Sequence, residues 1–280
     1  IMFLFAALLI LAATGCSKEE AATNDVQYVS ELKINFAGDT KVSATPNSSG
    51  LKYSWENGDQ IDVWEDQNTA IAAKSFVYDE ASGSFKPEND RDDNKLEINK
   101  KYFATTKYTT SYYISVEDNK SVVPMQLKGG TGIESVPMIT DVFTATAVNT
   151  MATMHHIVGV VEIPVKAAAD NAKLKQLGLN SLSANQALRG EINVSPLAPY
   201  NILSNILSYY DSYNQTEQGT PIELSTTEVT SIFVPAFPGT YSTIDIKYTL
   251  DGGVEKTINT NHQLIVNRGE ITKISEYTLD

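Results

Sequence analysis

The chain is built from short apolar runs that alternate residue by residue with polar ones and stop at turn residues. Leu32, Ile34 and Phe36 alternate with Lys33 and Asn35 before Gly38-Asp39. Ile61 and Val63 flank Asp62 behind the turn Asn57-Gly58-Asp59, and Ile244, Ile246, Tyr248 and Leu250 alternate with Asp245, Lys247 and Thr249 before Asp251-Gly252-Gly253. Successive side chains on a strand point to opposite faces, so each run predicts a strand with one buried face, and the spacing of the turns predicts antiparallel β-sandwiches. His156 to Val165 departs from alternation: Ile157, Val158, Val160, Val161, Ile163 and Val165 are apolar on both faces, which predicts one central strand covered on both sides. Two stretches are helical candidates, the second by its spacing. Ala167 to Leu177 is rich in alanine and lysine, and Pro199 to Tyr213 places Ile202, Leu203, Ile206, Leu207 and Tyr210 behind a proline near its start. The expected architecture is all-β, with residues 28–149 and 150–280 as two consecutive domains divided near Asn149.

Cys16 is the only cysteine among 280 residues, so no intrachain disulfide is available and the fold must rest on its core. Before it, Ile1 to Gly15 is apolar and uncharged, too short to span a bilayer comfortably, and Ser17-Lys18-Glu19-Glu20 follows at once. That is the pattern of a secretory signal, here residues 1–15. Ala13-Thr14-Gly15-Cys16 resembles the lipobox of bacterial lipoproteins. The resemblance implies cleavage before Cys16, a diacylglycerol on its thiol and a fatty acyl group such as palmitate on its new amino group. Several acyl chains, at about 0.8 kcal/mol per buried CH₂, anchor a protein that does not span the membrane. Lys18-Glu19-Glu20 resembles the short lysine-plus-acidic tag that sends lipoproteins to the outer face of the outer membrane in some Gram-negative anaerobes. Residues 16–27 then form a lipidated tether, with Ala21 to Gln27 small and polar.

A formal net charge of −13 argues against nucleic acid as a partner, which would call for a basic patch. Motifs for chemistry are scarce. His155 and His156 are neighbours on a strand and point apart, so they cannot chelate one metal together. Asp90, Asp92 and Asn94 have the spacing of a calcium loop, but Lys95 and Lys101 stand where that loop needs glycine and glutamate, and a solvated charged loop is the better reading. Gly129-Gly130-Thr131-Gly132 lacks the Lys-Ser/Thr of a phosphate cradle. No nucleophile elbow or zinc-protease motif is present. The expectation is a protein that is not an enzyme, with no cofactor and no metal.

The segment Trp55-Glu56-Asn57-Gly58-Asp59-Gln60-Ile61-Asp62-Val63-Trp64 resembles the "W-x-x-G-D-x-I-x-V" segment of fimbrillin-like lipoproteins, the subunits of lipoprotein-derived pili. Lys101-Tyr102-Phe103-Ala104 is similar to the aromatic strand after their variable loop, Val136-Pro137-Met138-Ile139 to their "P-M" turn, and Met154 to Val165 to their "H-x-x-x-x-V-x-I" strand. Val234-Pro235-Ala236 and Arg268-Gly269-Glu270-Ile271 also fit. The resemblance implies two transthyretin-like β-sandwich domains in a fimbrial structural or adhesive subunit on the cell surface. It implies partners that are other fimbrial subunits or further copies, the outer membrane through the lipid anchor, and a host or bacterial surface ligand.

Assembly in that family proceeds by strand exchange: a protease removes the first strand, and the emptied groove takes a strand from a neighbour. Carried onto this sequence, the displaced strand bears Leu32, Ile34 and Phe36, and the donor is the stretch with Ile271, Ile274, Tyr277 and Leu279. Here the sequence departs from the family pattern. The loop from Gly38 to Gly50 has Lys41 but no arginine, and the first arginine is Arg91, so arginine-specific processing is in doubt and Lys41 is the candidate cleavage point. The alternative function is a surface glycan-binding lipoprotein, with Trp55 or Trp64 and some of the fourteen tyrosines as an aromatic platform.

Overall fold

The computed structural model describes residues 26–36, 54–107, 113–126, 137–181, 191–196, 202–208 and 221–280. Cys16, Lys18, Glu19, Glu20 and Lys41 lie outside the described residues. Within them the chain is all-β, as the alternating runs predict, apart from one 3-10 turn at Asp92–Asn94.

An eight-stranded sheet runs in the order Lys33–Phe36, Met151–His156, Met138–Thr140, Lys101–Thr106, Gln60–Glu65, Lys74–Asp79 and Ser84–Pro87, with Phe143–Thr144 also pairing Lys101–Thr106. Its two ends meet. Leu32 and Phe85 exchange backbone hydrogen bonds of 2.9 and 2.8 Å, which joins the first strand to the last and leaves neither end as an open edge there. Both faces of this sheet are covered, and period-two alternation sorts the side chains. Ile61, Val63, Tyr102, Ala104 and Met138 enter one core together with Leu32, Ile34, Phe76 and Phe85. Trp64, Phe103 and Ile139 enter another on the opposite face.

A second unit packs two sheets face to face. One has the order Thr230–Ala236, Gly159–Ala167, then Ile271–Lys273 and Tyr277–Leu279 along the far side of Gly159–Ala167. The other runs Ile222–Glu223, Lys173–Ser181, Ile244–Leu250, Lys256–Asn259. Val161, Ile163, Val165, Leu174, Leu177, Leu179, Ile246, Tyr248 and Leu279 share the core between them.

The expectations of one long central strand and of two helices fail. His156 to Val165 is two strands. His156 pairs with Met138, whereas Gly159 pairs with Ala236 in the other unit, and the chain crosses at Ile157-Val158. Those two buried residues are apolar because they lie in the core between the units, with Trp64, Phe103 and Met125. Asn149, with φ 56°, sits in a turn where Thr146 N–H donates to Thr150 Oγ1, and Met151–His156 beyond it still belongs to the first sheet. The helical candidate Ala167–Leu177 is strand at both ends, Gly159–Ala167 and Lys173–Ser181, joined by a turn. Within it the register shifts between Leu174 and Gln176, so a bulge places Leu174 and Leu177 on the same buried face. Ile202–Ser208, inside the second helical candidate, is also a strand, paired with Glu191–Val194 through two register shifts.

Glu191–Val194 pairs on its other side with Lys120–Gln126, so one small sheet draws strands from both halves of the chain. Val123, Met125 and Val194 of that sheet lie in the same core as Trp64 and Phe103.

Candidate functional site

The candidate site consists of the two segments to which the resemblance to fimbrillin-like lipoproteins would assign displacement and donation. At the N-terminal side, Tyr28–Val29 pairs with Leu96–Glu97 and Lys33–Phe36 runs parallel to Met151–Met154. Leu32 is fully buried, Val29 and Ile34 are buried, and Phe36 is half-buried. Phe36 stacks on Trp55 with ring centroids 5.0 Å apart, and Trp55 meets Phe85 edge-on at 4.8 Å. The strand is thus held by a parallel ladder on one side, the Phe85 bridge on the other and an aromatic stack at its end. The Trp55-to-Asp59 stretch makes this stack possible. Gly58, at φ 96°, closes a turn in which Asp59 N–H donates to the Glu56 carbonyl at 3.0 Å, and the Asp59 carboxylate accepts from Glu56 N–H at 2.8 Å.

At the other end, Ile271–Lys273 and Tyr277–Leu279 run parallel to Gly159–Ala167 as two three-residue pieces. Leu279 is fully buried, and Ile274 and Tyr277 pack against the same core. Charged contacts fasten the segment from outside. Lys273 Nζ lies 2.8 Å from Glu162 Oε1, which also accepts from Ser231 Oγ at 2.7 Å. Lys166 Nζ lies 2.9 Å from Glu276 Oε1. Asp280 Oδ1 accepts from Tyr248 Oη at 2.9 Å with Lys256 Nζ 3.4 Å away, and these contacts, Tyr248 first, lower the Asp280 pKa. Single-sequence reasoning missed Glu162, Lys166, Tyr248 and Lys256. Glu162 and Lys273 are 111 residues apart, and nothing local links them.

The other singled-out residues have structural surroundings. Trp64 is 1% exposed, and its indole N–H donates to Thr105 Oγ1 at 3.1 Å, so this ring offers no face to a sugar. Trp55 is half-buried within the cluster of Phe36, Tyr78 and Phe85. The Asp90 loop is tied by Lys95–Asp92 and Arg91–Asp93 ion pairs, while the Asn94 amide donates to the Ser75 carbonyl and accepts from Ser75 N–H, both at 3.1 Å. His155 faces Asp141 at 3.0 Å, and burial lowers the His156 pKa to about 4. Among the described residues no group of three or more His, Cys, Asp or Glu is placed to hold a metal ion.

No protein-family model matches the chain, and no curated protein matches it by sequence. Solved structures do resemble it. One described as a cell-adhesion candidate from Bacteroides ovatus aligns over 90% of this chain and 92% of its own, at 12% identity and a TM-score of 0.51. A second cell-adhesion candidate, from Bacteroides fragilis, covers 89% and 92% at 11% identity and a TM-score of 0.45. A fimbrial protein from Bacteroides ovatus covers 91% of this chain and 51% of its own at 10% identity and a TM-score of 0.39. The first of these carries the fold comparison, and these three neighbours are described as cell-adhesion candidates and a fimbrial protein of Bacteroides.

Proposed function

We propose that this chain is a fimbrial structural or adhesive subunit, lipid-anchored through Cys16 to the outer face of the outer membrane, that assembles by strand exchange with other subunits or further copies. The observation that carries the reading is the first strand. It lies near the start of the described residues, buries Leu32 and Ile34 beside Val29 of the preceding strand, and closes the first sheet onto its last strand. Its loss would open a groove with edges at Met151–His156 and Ser84–Pro87 and an apolar floor of Phe76, Phe85 and Met154. Buried aliphatic side chains contribute about 1.5–3 kcal/mol each, so a groove lined this way binds a replacement strand of the same pattern. The adhesive and fimbrial descriptions of the structural neighbours support the same role. Lys41 is the processing point; an uncleaved chain would serve as an anchor or accessory subunit.

Size analysis before and after limited cleavage between Gly38 and Gly50 tests the assembly. Cut protein should form ladders of oligomers while intact protein does not, and a variant ending before Gly269 should fail to extend them. Persistent monomers from the cut full-length form count against a polymerising subunit. The anchor is tested separately: Cys16→Ala should move the protein from the detergent phase to the aqueous phase, and retention in detergent would refute lipidation.

A further inference from the structure

The segment assigned as donor already has a place in its own chain. It lies along the edge of Gly159–Ala167, with Leu279 in the core. Any use of this segment elsewhere therefore leaves a second acceptor groove behind. We propose that this groove takes the same segment, residues 271–280, from a second copy of the chain, so that two copies exchange these segments reciprocally. The proposal rests on the strand-exchange reading in treating 271–280 as the exchangeable element, but it needs no proteolytic cut.

Four observations carry it. The ladder that holds the segment is parallel and broken, pairing Val160–Glu162 with Ile271–Lys273 and Val165–Ala167 with Tyr277–Leu279. Parallel pairing is slightly weaker per residue than antiparallel, and two short pieces open more easily than one long one. The segment borders a cleft of about 340 Å³, to whose lining Thr272, Ile274 and Tyr277 contribute together with Ile244, His262 and Leu264. The chain reverses just before the segment, with Gly269 at φ 68° and its N–H donating to the Val158 carbonyl at 3.0 Å, which marks where the exchangeable part begins. Finally, the charges form a matched code: Lys273, Glu276 and Asp280 on the segment meet Glu162, Lys166 and Lys256 on the body. An identical segment from another copy restores every one of these contacts, the condition under which domain swapping joins identical chains.

The code makes the exchange testable by charge reversal. Full-length chains in detergent carry Glu162→Lys in one preparation and Lys273→Glu in another, each with its own affinity tag. Alone, each variant sets like charges against its own segment. Mixed, the segment of each meets an opposite charge on the body of the other. The expected result is a two-chain species containing one of each, seen by native mass spectrometry and tandem affinity capture, that neither variant forms alone. The Glu162→Lys/Lys273→Glu double variant should behave as the natural chain. Lys166→Glu and Glu276→Lys, whose side chains are 26% and 44% exposed, repeat the design at a site more tolerant of reversal and are read on the same terms. Mixtures that stay single-chain while circular dichroism shows folded β-structure would overturn the proposal. Because no cleavage is involved, absent ladders after cutting would leave this result standing, and absent pairs here would leave the ladders standing.

Discussion

Gly159 shows how little room the crossing between the two units leaves. A Cβ built there would lie 2.2 Å from the Asn267 carbonyl oxygen and 2.6 Å from Val266 Cγ1. Gly159→Ala must therefore push backbone apart, and it should lower stability by about 1–3 kcal/mol, as overpacking does, measured by urea unfolding. An unchanged midpoint would mean the crossing is looser than these distances. His156 sits just before that point, and burial holds its pKa near 4, below the usual value of 6.5. As pH falls past 6.5 the unfolded chain takes up a proton that the folded chain refuses until about 4, so the stability His156 permits is complete above 6.5 and lost on the way down. The natural chain should thus lose more stability between pH 6.5 and 4 than His156→Leu does, and parallel curves would dismiss burial as the cause. Trp64→Ala should cost about 3–5 kcal/mol, since it empties a fully buried site and strands the Thr105 hydroxyl.

At the scale of elements, strand identity followed the alternation wherever the ladder was regular, and the two helical candidates fell where the ladder is bulged. Leu174 and Leu177 share a face because the strand carries one extra residue against Ile244–Leu250, a fact set by the partner strand. For the first strand, burial ranks the anchors. Leu32→Ala should cost about 2–5 kcal/mol, whereas Phe36→Ala, at a half-buried stacking position, should cost less and shift the fluorescence of Trp55. Equal losses from the two substitutions would contradict the placement of Leu32 at the sheet closure.

Across the whole molecule, the core of Trp64, Phe103, Val123, Met125, Ile139, Val158 and Val194 joins the two halves, and the small sheet beside it takes strands from each. Shared burial of this kind couples unfolding. Both tryptophans lie in the first half, so their fluorescence follows that half while far-ultraviolet circular dichroism follows every strand. The two signals should change at one denaturant concentration. Separate midpoints would mean that the halves unfold independently.

Much of this architecture was legible beforehand. Period-two runs and glycine-bearing turns determined the all-β class and which side chains of Lys33–Phe36, Gln60–Glu65 and Ile244–Leu250 share a face, because side-chain alternation is a local property of an extended backbone, but not that Trp64 and Asp245 would be buried as well. The Trp55-to-Asp59 turn was readable for the same reason. What the tertiary structure alone decided are matters of partner choice: the break at Ile157-Val158, the bulges, the bridge from Leu32 to Phe85, and the ion pairs that fasten residues 271–280. Two apolar strands in succession look identical to one long one until the sheets that cover them are known, and a charge on a strand does not announce which distant charge it will meet. Such features arise only when segments far apart in sequence pack together.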